Sequence, residues 1–70
     1  MGSKIDIQKV LIWDNLKNEM VPRFEVWYQV VGNLGTVMFE EGPLFCDEKD
    51  VNAASEELAQ RFRKKYLKNA

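Results

Sequence analysis

Residues 23–31 constrain the fold more than any other stretch, because apolar side chains occupy every second position there. A period of two in a segment rich in aromatic and β-branched residues is typical of a strand with one buried face. The apolar face of this strand consists of Phe24, Val26, Tyr28 and Val30. Trp27 belongs to the opposite face, among polar neighbours, so the pattern predicts that its indole is exposed and available for contact.

Two further strands are predicted, one before and one after this stretch. In residues 5–13 apolar side chains occur at both odd and even positions, and hence on both faces of a strand. That pattern is typical either of a central strand covered on both faces or of a strand with a bulge near Lys9. Residues 36–40 form the third strand, which the Gly42-Pro43 step is expected to end.

Turn-forming residues separate these strands. Residues 14–19 are polar and predict a hairpin, and residues 32–35 contain two glycines and an asparagine, which tolerate the positive φ of a tight turn. Leu44 and Phe45 follow the third strand. They form either a fourth short strand or an apolar plug.

One amphipathic helix is predicted over residues 48–68. Asp47 is a good N-cap residue, because its carboxylate can accept a hydrogen bond from the backbone of the first turn. Mostly apolar side chains recur at helical spacing and predict the face that packs on the sheet. This face consists of Val51, Ser55, Leu58, Ala59, Phe62 and Tyr66, with Ala54 at its edge.

These elements together predict an α+β fold. We expect a three-stranded antiparallel sheet, β-β-β, packed against one C-terminal amphipathic α-helix. The length of 70 residues predicts a single small domain, residues 1–70.

Charge is segregated along the chain although the net charge is only −1. Acidic residues dominate residues 40–57 and basic residues dominate residues 58–68. Much of this asymmetry is what the helix dipole favours, because acidic side chains stabilise a helix start and basic ones its end.

Two binding interpretations of the charge segregation also stay open. The acidic segment is a candidate mimic of nucleic acid that blocks a basic cleft. The helix end, together with the sheet, is a candidate site for double-stranded nucleic acid, formed by Arg61, Arg63, Lys64, Lys65 and Lys68.

Catalytic chemistry finds little support in the composition. The chain has no histidine, which removes the usual neutral-pH general base and histidine metal ligands. It also has no Gly-rich phosphate loop and no calcium-loop spacing. We therefore expect no enzymatic activity, no metal and no cofactor. A lone cysteine, Cys46, is typical of a reducing setting and predicts a cytoplasmic location, and no apolar run is long enough to predict a membrane partner.

Surface recognition is the function that the remaining residues favour. Trp, Arg and Met are enriched at protein interfaces, and all three types lie on or near the polar face of the predicted sheet. The expected contact residues are Trp27, Arg23, Gln29 and Met38. Trp13 joins them if its parity points outward. We therefore interpret the chain as a non-catalytic protein-binding module, of the size of small inhibitors or adaptors encoded by phages and mobile elements. A free sheet edge is a second docking route, and a second copy of the chain is a further candidate partner.

The predicted order of elements resembles, in layout only, several small modules. Three strands followed by a C-terminal helix occur in the arm-binding domains of phage integrases, in plant ethylene-response DNA-binding domains and in chromodomains. None of the residue motifs of these families is present in the sequence. The resemblance therefore implies only the arrangement of strands and helix, and no functional residue of these families is assigned to this sequence.

Overall fold

The computed structural model describes residues Gly2–Leu67 and confirms the predicted fold class. Three antiparallel strands lie in the order β1-β2-β3, and one C-terminal helix, α1, follows them. The elements are β1 (Gly2–Asp14), β2 (Glu19–Val31), β3 (Val37–Cys46), a short 3-10 turn (Glu48–Asp50) and α1 (Val51–Tyr66).

β1 is an edge strand in unbroken register with β2, from Gly2 opposite Val31 to Asp14 opposite Glu19. The expectations of a central position or of a bulge near Lys9 were therefore wrong. Apolar residues at both odd and even positions reflect the two faces of the strand. Ile7 and Leu11 lie on the side of the helix, whereas Ile12 lies on the opposite side and pairs with the buried Val21.

The predicted hairpin turn between β1 and β2 is confirmed, and Asp14 organises it. Its carboxylate accepts hydrogen bonds from the backbone N–H groups of Leu16 and Lys17, at 2.9 and 3.2 Å. Asn18 closes the turn by donating its backbone N–H to the Asp14 carbonyl at 2.7 Å. Asn18 has a φ of 57°, a left-handed conformation that asparagine adopts more readily than most residues.

β3 is longer than predicted, because Gly42 and Pro43 do not end it. Both residues are accommodated in a bulge, where Val26 pairs with Leu44 and Tyr28 pairs with Glu41, so β3 carries one extra residue. A proline is tolerated there because β3 is an edge strand whose outer side has no ladder partner. The segment 44–45 is thus the continuation of β3, and a second bulge lies near its start.

The helix starts later than predicted. Residues 48–50 form the 3-10 turn, and α1 begins at Val51. Asp47 stands at the start of that turn, but its side chain makes no capping hydrogen bond. Its carboxylate instead pairs with the Arg23 guanidinium at 3.2 Å, so the N-cap prediction was wrong. Asp47 thus forms an ion pair with a strand residue in place of a capping hydrogen bond. The predicted helix end and its basic residue Lys68 lie outside the described residues.

The core lies between α1 and the strands β2 and β3. Val26, Leu58 and Ala54 are buried at its centre, and Ile5, Leu44, Cys46 and Val51 pack around them. Towards the helix C-terminus the core becomes aromatic. The Phe62 ring is buried and lies 5.1 Å from the ring of Tyr28 and 4.7 Å from that of Tyr66. The predicted helix face is therefore the packing face.

The β1–β2 hairpin reaches beyond the rest of the domain. β3 pairs with β2 only from Phe24 onward, so residues 10–23, here called the hairpin extension, form a two-stranded ribbon. Pro22 lies in this ribbon, where β2 has no second neighbour that would need its missing N–H. On the side that α1 covers elsewhere, the extension leaves large apolar side chains uncovered. These are Leu11 (65% exposed), Trp13 (50%) and Met20 (50%).

Candidate protein-binding surface

The helix covers one face of the sheet. On the other face, here called the open face, no element of residues 2–67 lies over the strands. Trp27 lies on this face, because its neighbours Val26 and Tyr28 both point into the core. Its side chain is half-buried rather than fully exposed. The prediction of the face on which Trp27 lies is therefore confirmed, but its side chain is less exposed to solvent than the alternation predicted.

Two contacts within the domain hold the Trp27 indole. Its Nε1 donates a hydrogen bond to Glu25 Oε1 at 2.6 Å. Its ring lies over Gly42, where a Cβ would stand 3.4 Å from Trp27 Cε3. An aromatic ring that covers a strand glycine shields the backbone that the missing side chain leaves open. These two contacts hold the indole against the sheet, and the side chain remains partly exposed.

Phe45 is a second aromatic residue on the open face, and the sequence analysis missed it. It pairs with Glu25 on the neighbouring strand, which places it on the same side of the sheet as Trp27, and it is 50% exposed. If β3 continues past Pro43, Leu44 and Phe45 point to opposite faces of the sheet, which would have placed Phe45 beside Trp27. The third strand was instead expected to end at Gly42-Pro43.

Gln29 and Met38 occupy the open face and its far end. Gln29 lies opposite Glu40, and its Nε2 donates a hydrogen bond to Glu40 Oε2 at 3.4 Å. Met38 is the extra residue of the second bulge, more than half exposed, with its sulfur beside Gly32. Gln29 is two residues from Trp27 on β2, whereas Met38 lies at the far end of the β2–β3 pair and is the more exposed of the two.

Arg23 is less available than its sequence position suggested. One guanidinium nitrogen pairs with Asp47 and also donates to the Pro22 carbonyl at 2.9 Å.

Trp13 does not belong to the open face. It pairs with Met20 on the side of the sheet that carries the helix, and it is exposed because α1 does not reach it.

The basic residues of α1 are spread around its exposed sides. Arg61 pairs with Glu57 four residues earlier, and the Lys65 ammonium lies 3.6 Å from Glu41 Oε1. That carboxylate oxygen is buried without a hydrogen bond, so Lys65 is its compensating charge. Arg63 lines a shallow depression with Glu56, Ala59 and Gln60, and Lys64 is exposed. The predicted basic cluster is therefore partly neutralised by acidic partners.

The surroundings of Cys46 disfavour the thiolate form of its side chain. Desolvation raises the pKa of its thiol above the ordinary value, and the nearby carboxylates of Asp50 and Asp47 raise it further. A raised pKa lowers the thiolate fraction and hence the nucleophilicity at neutral pH.

Within residues 2–67 no group of three or more His, Cys, Asp or Glu side chains is placed to hold a metal ion. Over the same residues, no helix has the length and apolar character that crossing a membrane requires.

Comparison with known proteins gave no relative. No protein-family model, curated protein or solved structure matches the chain. The surfaces just described therefore carry the functional argument alone.

Proposed function

We propose that this chain is a non-catalytic protein-binding module that docks a partner protein through its open face. The observation that carries the proposal is the pair of aromatic side chains, Trp27 and Phe45, on the sheet face opposite the helix. Aromatic residues on a rigid sheet expose a large contact area at little cost in conformational entropy.

The polar rim of this face indicates the chemistry of the partner. The paired positions around the two aromatic rings carry Asp6, Glu25 and Glu40. Of the two basic strand residues on this face, Lys4 forms no ion pair with a described residue. Arg23 is neutralised by Asp47. A partner with an apolar pocket and a basic rim would complement this surface, since opposite charges steer association and suppress wrong partners.

Capture from an extract of the source cell, followed by binding measurements with the purified captured protein, tests this proposal. Trp27→Ala and Phe45→Ala should each weaken binding by about 2 kcal/mol, or roughly thirtyfold in Kd. Leu34→Ala is the matched control, because Leu34 is 95% exposed in the β2–β3 turn, away from the open face. Circular dichroism confirms that each variant is folded.

Nucleic-acid binding through the basic end of α1 is the second candidate function. Arg63 and Lys64 support it, because neither forms an ion pair among the described residues. Such binding falls steeply as salt rises, because it depends on counterion release, whereas apolar docking is much less sensitive. Loss of binding in Arg63→Ala and Lys64→Ala, together with steep salt dependence and no effect of Trp27→Ala, would overturn the open-face proposal.

The acidic-mimic interpretation has less support. Three of the acidic residues in segment 40–57 form ion pairs within the domain: Glu41 with Lys65, Asp47 with Arg23, and Glu57 with Arg61. Intramolecular pairs weaken the field that a nucleic-acid mimic would present to a basic cleft.

A further inference from the structure

The two edges of the sheet differ in how well they are protected. β3 has two bulges and a proline, and these features interrupt the row of backbone donors and acceptors on its outer side. β1 has neither feature: it pairs with β2 without a register shift over 13 residues and contains no proline. A long regular edge strand is a ready template for another strand.

β1 also carries an uncovered apolar strip on the side of the sheet that faces α1. The helix packs on β2 and β3, so among the strip residues only Ile5 reaches the core. Ile7, Leu11 and Trp13 are each at least 45% exposed, although they share one face of a single strand. The hydrophobic strip and the open edge therefore belong to the same element.

We propose that a second copy of this chain pairs with β1, antiparallel and about a two-fold axis at Lys9. The dimer would form one continuous six-stranded sheet with both helices on the same side. The β1 strips of the two copies would meet in the trough between the helices. This surface is distinct from the open face, so the inference does not rest on the proposed partner-binding function.

Two of the four charged residues of β1, Lys4 and Asp14, are complementary to each other in the antiparallel sense. With the axis at Lys9, Lys4 lies opposite Asp14 of the second copy, and the pair occurs twice by symmetry. A parallel, in-register arrangement would place each of these charges against its own copy, which is unfavourable. The strand therefore favours a second copy in one orientation.

The apolar residues select the same register. With the axis at Lys9, Ile7 lies opposite Leu11 and Ile5 lies opposite Trp13, so the β1 strips face each other. The cost is that the two Lys9 side chains, which share a face with Ile7 and Leu11, meet at the axis within the trough. Their long stems would have to extend along the apolar strips to bring the ammonium groups to solvent.

Neighbouring registers are poorer. Centring the pair on Val10 places Asp6 opposite Asp14, and like charges directly opposite each other are destabilising. Centring it on Gln8 places Trp13 opposite Ser3 and Lys4 opposite Ile12, which leaves the strips out of register.

The chain exposes more surface than a compact monomer of its mass. The chain exposes 5319 Å². A compact monomer of 8.2 kDa is expected to expose about 4,500 Å². The surplus, about 800 Å², matches the share that each partner buries in a standard interface. The radius of gyration of 14.0 Å likewise exceeds the value of about 11 Å expected for a compact domain of this length.

Sedimentation over a concentration series tests the dimer with the full chain. The parent should form dimers below about 100 µM, and Leu11→Lys should raise the dimer Kd at least tenfold. The exposure of Leu11 allows this change without loss of the fold. Leu34→Lys makes the same chemical change at an even more exposed site, and it should leave Kd within about twofold.

Disulfide trapping tests the register. Residues that face each other across antiparallel strands have Cα atoms about 4.5–5.5 Å apart, within the range that a disulfide spans. In a Cys46→Ser background, Lys9→Cys should cross-link to its own copy under mild oxidation. Leu34→Cys is the control for random collision.

Three outcomes would overturn the proposal. The first is a parent that stays monomeric through the concentration series. The second is a dimer that Leu11→Lys leaves intact but Trp27→Ala dissociates, because self-association would then use the open face. The third is cross-linking of Lys9→Cys at or below the level of Leu34→Cys.

Discussion

The indole of Trp27 lies against Gly42 across the β2–β3 pair. A Cβ at Gly42 would stand 3.4 Å from Trp27 Cε3 and 2.9 Å from the carbonyl oxygen of Val26. Gly42 has a φ of +128°, a conformation that side-chain-bearing residues rarely adopt. The bulge that lets β3 continue past residue 42 therefore depends on this glycine, and the aromatic ring on the open face lies directly over it.

Gly42→Ala should destabilise the domain by at least about 2 kcal/mol, because backbone strain and a collision with a carbonyl oxygen add together. Chemical denaturation monitored by circular dichroism measures the change. Gly35→Ala is a useful comparison, since Gly35 also has a positive φ but has open space around its Cα. Equal losses in the two variants would mean that φ alone matters and that the close contact at Gly42 does not.

Phe62→Ala should cost about 3–5 kcal/mol in unfolding free energy, because it empties a buried site among aromatic rings. Phe62→Leu keeps most of the volume and should cost much less. Tyr66→Ala should also cost less than Phe62→Ala, since Tyr66 lies at the exposed end of the cluster. Thermal and urea unfolding of the three variants gives the ranking, and a reversed order would place the core elsewhere.

Asp47 should stabilise the domain through Arg23 rather than as a helix cap. Removing an exposed ion pair costs about 0.2–1 kcal/mol, so Asp47→Ala should have a modest effect. In an Arg23→Ala background the same change should have almost none. The double-mutant cycle measures this coupling. An undiminished loss in the Arg23→Ala background would restore the capping role that the sequence suggested.

The thiol of Cys46 should react slowly with disulfide reagents near neutral pH. Its raised pKa keeps the thiol protonated, and the rate should rise only at higher pH than for a free cysteine. Asp50→Asn removes one of the charges that raise the pKa, so it should shift the pH–rate curve to lower pH. Glu48→Gln is the matched control, because Glu48 does not contribute to the shift.

The same pKa shift predicts how stability changes with pH. The folded state holds the thiol proton more tightly than the unfolded chain, so stability should fall as pH rises through the thiol range above about 8.5. Cys46→Ser should remove this part of the alkaline loss. If Cys46→Ser and the parent lose stability equally, the thiol is not its source.

Local patterns determined much of this protein. The alternation around Val26 placed Trp27 on the face opposite the core, and Asp14 and Asn18 specified the hairpin turn. The helical stripe through Leu58 and Phe62 identified the packing face. These features depend on residues a few positions apart, and periodicity and turn chemistry act over that range.

Only the tertiary structure decided which strand lies at an edge and how far the helix reaches. β1 is an edge strand, β3 continues past Pro43, and Asp47 pairs with Arg23, because pairing partners distant in sequence determine each outcome. Whether an apolar residue is covered likewise depends on long-range packing. Val26 is buried and Leu11 is exposed on the same face of one sheet, because α1 lies over the first and does not extend to the second.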